Sequence, residues 1–412
     1  MTAQATTATD RPAEELFAGL FLDPPDDPYP VYRRLRERAP VLLTSDGALV
    51  LSRYADCDAA LRHRAFGKGD EQIGVGMAGV SAEERRNARE SFGHSMLMAN
   101  PPEHTRLRRA VGSAFTNRHV DELRPAIERR ADELLAGLAD DPGADFMDGL
   151  ALPLPVNVIS DLLGVPEDER LSFTGKILAM LAPPAGVEDF RATVALWTEL
   201  GGYFSDLLDA KSADPRDDLL SRLATAPKEA RLSREEQVST ALLLFSAGFV
   251  TTTNLLGNSL HLLLDRPDQQ AVLREDPSLI PNAVEEFLRY DSPVQLDART
   301  VLEPVDFAGT PLRSGQVVVT VIGGANHDPE APGMTGDPDV LDVARPDPVH
   351  LSFASGVHFC LGAHLARLEA RVVLERLFGT GYPSVTRAGE AERRPGLPLR
   401  GMARLPVALN RA

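Results

Sequence analysis

Residues 351–367 read LSFASGVHFCLGAHLAR. Cys360 stands there among glycines, two histidines and two phenylalanines. Leu361, Leu365, Leu368, Val372, Val373 and Leu377 then recur with the period of an amphipathic helix over 361–378. The cysteine therefore lies at or just before a helix N-terminus. Backbone N–H groups and the helix dipole favour an anion there, which lowers a thiol's pKa. Gly356 and Gly362 let backbone amides come close to the sulfur. Such a thiolate can be a nucleophile, a redox sensor or a metal ligand, and a buried cysteine can be merely a small hydrophobe. Zinc asks for three more ligands, and neither a second cysteine nor an HxxxH pair lies near. His358 and His364 leave a cysteine hydrolase open by spacing alone.

The chain has 412 residues, 43 % of them hydrophobic, enough for a large buried core. By length it allows one large domain or two or three smaller ones. Its 43 basic and 60 acidic residues give a net charge of −17, which argues against a general nucleic-acid binder. Cys57 and Cys360 are the only cysteines, so there is no disulfide framework, which suits a reducing cytosol. The polar start MTAQATTATDRPAEE reads as a flexible arm over 1–15, and 16–412 as a single domain. No run reaches the ~18 uninterrupted apolar residues of a membrane helix. We expect a cytoplasmic protein with neither membrane nor nucleic acid as partner.

The first sixty residues mix an amphipathic helix at 31–38 with strand-like runs at 41–43 and 48–52. From about 103 to 291 the pattern is helical, with proline-containing joints at 181–186 and 224–232. A β-branched run follows at 316–322, preceded by the turn Ala308-Gly309-Thr310-Pro311. Residues 326–350 are irregular and rich in Pro and Asp. Loops of that length are uncommon unless they wrap around something functional. The sum is a mainly α protein with a small β portion.

Three helical segments carry more than packing. In 233–265, Ser233 and Glu236 form a capping box and Pro267 follows the end. At ~1.5 Å per residue the helix is roughly 50 Å long. Its middle, 241–250, is apolar on nearly every face, the mark of a central buried helix. Ala247-Gly248 and Thr251-Thr252-Thr253 then place small and hydroxylated residues at mid-helix, where Gly costs ~1 kcal/mol against Ala and Thr can bend the chain. That patch is either a kink in a core or a groove that admits a flat ligand and a small molecule. In the second segment Glu286 and Arg289 share a helix face, an arrangement worth little when exposed. In the third, His104 and Arg108 project from one face, as an anion clamp or as an ordinary basic helix start.

Taken as one pattern, Phe353-x-x-Gly356-x-His358-x-Cys360-x-Gly362, running into Leu365-Ala366-Arg367, resembles the haem-binding loop of the cytochrome P-450 family, the haem-thiolate monooxygenases. Further segments fall in the family's order: His104 to Arg108, Ala247-Gly248-x-x-Thr251-Thr252, Glu286-x-x-Arg289, Ala325 to Pro329, and Arg345. The likeness runs from about residue 27 to 409 and points to the soluble bacterial class. It implies the family's mainly α fold with a small β portion, haem b lying between the long central helix and the cysteine loop. Cys360 would be the proximal thiolate on the iron, its electron donation favouring O–O cleavage. Phe353 would shield the sulfur, and amides near Gly362 would tune it. His104, Arg108, Arg299 and His358 would hold the haem propionates. Glu286, Arg289 and Arg345 would form a buried ionic network below the haem, and Ala247, Gly248 and Thr251 would line the oxygen pocket.

The resemblance also implies the chemistry: a hydrophobic small molecule is hydroxylated or epoxidised with O2. Two electrons come from NAD(P)H through a reductase and a ferredoxin, since the chain has neither a Rossmann fingerprint nor enough cysteines for an iron–sulfur cluster. Arg106, Arg109 and Arg367 are candidate contacts for an acidic partner. Pocket walls are expected from 66–97, 177–187, Leu244, Phe249, Val294 and Leu296. Tailoring of a polyketide or macrolide in secondary metabolism fits the class. Two positions depart from the family pattern. Ala354 replaces a glycine, which is tolerable if its φ is negative. Val250 replaces the acid of the proton relay, which leaves oxidative coupling or desaturation as an alternative outcome.

Overall fold

Helices dominate the computed structural model, which describes residues 10–69, 80–81, 83–84, 86, 88, 94–182 and 186–410. Two compact units emerge. One comprises Met1–Phe66, Pro125–Ala151 and Thr251–Ala412, the other Gly67–Arg124 and Leu152–Val250.

In the first unit a small sheet follows from local β-branched and leucine-rich runs. Val41–Leu43 pairs antiparallel with Leu49–Leu51, which runs parallel to Val317–Thr320, itself antiparallel to Asp297–Val301. Leu49, Leu51, Val301 and Val318 pack there against Cys57, Ala60 and Leu61 of the Tyr54–Arg62 helix. Cys57 is fully buried, and its thiol donates to the Leu51 carbonyl at 3.3 Å. Burial pushes its pKa well up, so it behaves as an inert core residue. Ala308 (φ 52°) and Gly309 (φ 76°) supply the two left-handed residues of a tight hairpin between Val305–Phe307 and Thr310–Leu312.

The expected N-terminal arm is shorter than 1–15. A helix spans Arg11–Leu22, because the Asp10 carboxylate caps it by accepting from the Ala13 N–H at 3.2 Å. Residues 1–9 lie outside the described residues. The helix after the cysteine begins at Ala363, with Gly362 as its N-cap, and widens into a π-turn after Leu374. Residues 326–350 hold neither helix nor strand.

The second unit is helical, with Glu103–Gly112, Pro153–Leu163 and Val187–Ala213 among its elements. The long helix, Arg234–Leu264, has 31 residues and continues from this unit into the first. Its start is a reciprocal capping box: the Ser233 N–H donates to Glu236 Oε2 at 2.8 Å, and the Glu236 N–H to Ser233 Oγ at 3.2 Å. Among the described residues it alone has the length and apolarity to cross a membrane, yet 78 % of its most apolar window is buried inside the protein.

Gly248 in that helix is a packing residue. A Cβ there would lie 2.6 Å from Ile159 Cγ1 and 2.8 Å from its Cδ1, closer than real side chains approach. We expect Gly248→Ala to destabilise the protein by about 1–3 kcal/mol through overpacking. A glycine facing only open space would instead gain ~1 kcal/mol from the better helix former. Adding Ile159→Ala should recover part of the loss, and chemical denaturation of the three variants reads the sign.

Candidate active site

The Ile280–Tyr290 helix turns an apolar stripe inward and takes two charged side chains with it. Glu286 and Arg289 are both fully buried. Arg289 Nε and Nη2 donate to Glu286 Oε2 and Oε1 at 2.7 and 2.8 Å. Arg345, also buried, adds Nε to both oxygens at 3.1 and 3.2 Å, and the Asp342 N–H adds a further bond at 3.1 Å. The remaining guanidinium hydrogens go to backbone carbonyls. Arg289 reaches those of Asn326 (3.0 Å) and Pro338 (2.8 Å), and Arg345 those of Thr335, Asp337 (2.9 Å) and Val340 (2.7 Å). Residues 326–350 thus wrap around two buried cations.

The cysteine loop is held by its own backbone and by the Tyr54–Arg62 helix. Gly356 has φ 70°, and a Cβ on it would lie 2.6 Å from the Leu61 carbonyl oxygen, so both conformation and space demand glycine. Ser355 Oγ donates to Asp58 at 2.7 Å, and the Cys360 N–H donates to the Phe353 carbonyl at 2.9 Å. Ala354 sits at φ 57°, not at the negative φ that would make alanine easy there. Cys360 is exposed, flanked by Val357 (52 % exposed) and Phe359 (42 %).

Along the long helix every position from 241 to 260 is buried except three. Ala247 is exposed, and Gly248 and Thr251 are half-buried. Spaced at i, i+1 and i+4, they form one strip, so the run that holds the small residues is also the one left uncovered. Thr251 keeps the alcohol at that strip, while Val250 beside it is buried at 2 %.

Two expected pocket walls are core. Phe249 lies about 140° around the helix from Leu244. It is fully buried, its ring 5.7 Å from Phe245, whose ring is 5.7 Å from Phe204. Leu296 packs with Tyr32, Leu35 and Val321. Leu244 is buried, and Val294 is half-buried and bridges to Leu399. The expected walls at 66–97 and 177–187 fall partly outside the described residues. In the second unit His104 is buried on the Glu103–Gly112 helix, one turn before half-buried Arg108. Burial and the Arg108 charge lower its pKa. Arg106 is a bidentate partner of Glu236 and Arg367 of Glu285, so of the three arginines expected to meet a partner only exposed Arg109 lacks such a carboxylate pairing among the described residues.

The residues of the first unit fit a flat, apolar, iron-bearing cofactor with two carboxylates. The exposed thiol follows two exposed apolar residues, Val357 and Phe359, in the chain. A Cβ at Gly362 would meet nothing within 4 Å, so the space beside this N-cap residue is open to a seated group. Arg299 is 2 % exposed and donates Nη1 to Asp297 and to the Ala298 carbonyl at 3.1 Å. Its Nη2 is buried without a hydrogen-bond partner among the described residues. A buried cationic donor without an acceptor is costly, and a propionate removes that cost. Half-buried Phe353 and His358 flank the thiol in sequence.

Sequence reasoning passed over Glu285, which binds Arg367, and Asp58, which anchors Ser355. The adjacent acids Glu285-Glu286 were the available signal, since neighbours about 100° apart on a helix serve different partners.

Comparison with known proteins agrees with this geometry. The family model described as Cytochrome P450 matches residues 205–380. The Vitamin D(3) 25-hydroxylase of Pseudonocardia autotrophica is 40 % identical over 413 residues, covering 98 % of each protein. Cytochrome P450 monooxygenase PikC of Streptomyces venezuelae is 38 % identical over 422 residues, covering 100 % of this chain and 97 % of that one. Among solved structures, the tirandamycin C-bound P450 monooxygenase TamI superposes with a TM-score of 0.82 at 36 % identity, over 95 % of this chain and 98 % of its own.

Two variants probe the site's supports. Glu286→Ala strands two buried guanidinium groups and should cost about 3–5 kcal/mol. We expect it to lose haem on purification, and normal haem content with unchanged melting would contradict the role. Ala354→Gly relieves a left-handed alanine and should stabilise the protein by about 0.5–1 kcal/mol in thermal denaturation.

Proposed function

The chain belongs to the cytochrome P450 family, and from that premise we propose that it hydroxylates or epoxidises a hydrophobic natural product of the polyketide or macrolide kind. Its cofactor is haem b, which when bound supplies the activation of O2; the enzyme is a monooxygenase that takes electrons from a redox partner. Cys360 would hold the iron and Arg299 a propionate. The observation that carries the reading is the single uncovered strip on an otherwise buried helix, Ala247, Gly248 and Thr251. It offers an apolar ligand small side chains and one hydroxyl. The relatives support a hydrophobic substrate, one being named for hydroxylating vitamin D(3), and the macrolide class in particular is supported by the 6-deoxyerythronolide B hydroxylase of Saccharopolyspora erythraea. A ferredoxin is the partner we infer, because the chain has no flavin fingerprint and only two cysteines. Its place of action would be the cytoplasm.

Val250 shapes the outcome. A valine carries no proton, so a carboxylate cannot serve from this position. We infer that a hydroxyl of the substrate, or water ordered by it, serves with Thr251 instead.

Soret titrations with macrolides and their aglycones, followed by turnover with ferredoxin, reductase and NADPH, test the substrate class. Within that assay, product formed per NADPH should be high with a hydroxyl-bearing substrate and fall with its deoxy analogue, hydrogen peroxide making up the difference. Val250→Glu should raise the yield for the analogue, provided burial does not keep the new carboxyl neutral. Equal peroxide yields and solvent isotope effects in variant and parent, across substrates, would remove position 250 from proton delivery.

A further inference from the structure

Adjacent acids on the Ile280–Tyr290 helix face different partners. Glu286 closes the buried network, whereas Glu285 faces the cysteine loop. Arg367 Nε and Nη2 form a fork on the two Glu285 oxygens, both at 2.7 Å. His350 Nε2 lies 3.2 Å from Glu285 Oε2. The Ser352 N–H donates to His350 Nδ1 at 3.2 Å, so Nδ1 is an acceptor and Nε2 bears the proton given to Glu285. Arg371 Nη2 stands 4.0 Å from the same carboxylate.

The fork fixes where the Arg367 charge sits. Its guanidinium carbon lies 4.4 Å from the Phe353 ring centroid, a cation–π contact. The Phe353 carbonyl in turn accepts the Cys360 N–H at 2.9 Å. The His350 ring, 5.8 Å away, packs on the same phenylalanine. An unbroken series of contacts therefore links Glu285, Arg367, Phe353 and the backbone of Cys360. Burial by itself would raise the Glu285 pKa, yet the hydrogen bonds from His350 and Arg367 hold it at about 2. Glu285 is an anion throughout the working range.

We propose that Glu285 is a positioning residue for the thiolate: it locks Arg367 over Phe353 and offsets the charge that this arginine directs at the Cys360 loop. The inference rests on the assignment of Cys360 as the haem ligand. Both groups are largely withdrawn from water, so each exerts its field in a low dielectric. Removing the anion leaves a cation beside the loop and favours the reduced, more negative iron centre. Removing the cation leaves an anion and disfavours it. A merely structural role would give both losses the same sign.

The test is the ferric–ferrous reduction potential of the substrate-free holoenzyme, with haem content and the ferrous–CO spectrum of each variant. Glu285→Gln should shift the potential up, Arg367→Gln down, and the double variant should return close to the parent. Glu285→Asp, which keeps the charge, should restore most of the parental value. Shifts of the same sign, or none, in variants with parental haem content would overturn the proposal. If Arg367→Gln holds no haem, the pair Glu285→Gln and Glu285→Asp decides: an upward shift in the first alone supports it, and no shift in the first or equal shifts in both overturn it. A parent without the red-shifted CO band of a thiolate-ligated haem would instead overturn the Cys360 assignment, and this inference with it.

Discussion

One buried carboxylate, Glu286, organises a long stretch of this chain. It accepts from two buried guanidinium groups and one backbone amide. Two cations and one anion taken from water would be ruinous if left to themselves, because desolvation outweighs a single pairing. Here backbone carbonyls supply the missing negative ends. That explains why residues 326–350 form neither helix nor strand: carbonyls of Asn326, Thr335, Asp337, Pro338 and Val340 point at arginines and are lost to a regular ladder. The stretch is irregular in outline and fixed in detail.

From that stretch order passes to the cysteine loop through Asn326. Its amide oxygen accepts the Leu351 N–H at 2.8 Å, and its Nδ2 donates to Ser352 Oγ at 2.9 Å, which donates on to the Leu288 carbonyl at 2.6 Å. The loop thus enters its turn already tied to the helix that bears Glu285 and Glu286. Beyond it the left-handed residues Ala354 and Gly356 aim the chain, and Asp58 holds Ser355 from the other side. Cys360, which we propose as the thiolate ligand, is thereby left few degrees of freedom.

Local signals in the sequence translated well into structure. The strands near 41 and 49, the capping box at Ser233 and the length of the long helix are decided by neighbours in the chain, and they lie where the pattern places them. The cysteine loop was legible because its glycines and histidine stand at fixed spacing. What stayed hidden is set by partners distant in sequence. Apolarity does not tell a pocket wall from a core wall, so Phe249 and Leu296 read as walls although they pack in the core. Gly248 borders the uncovered strip and also packs on Ile159, a second reason that stayed hidden because Ile159 lies 89 positions away. The φ of Ala354 is a property of the whole turn, which no single residue announces.

Val250 shows how far the burial pattern limits the chemistry. Neighbours on a helix point about 100° apart, so position 250 does not share the direction of Thr251. The structure buries Val250 and Thr252 and leaves Thr251 between them partly open. An acid at 250 would begin from a sealed flank of the helix and need water or a bent backbone to join the strip. Without it, that flank is sealed by packing, and the strip keeps one hydroxyl that can pass a proton. Under the proposal, a proton donor for Thr251 would approach from the open side. On the reading proposed above, a polar group of the substrate would reach Thr251 from that open side, so the substrate would do more than present a carbon to be oxidised.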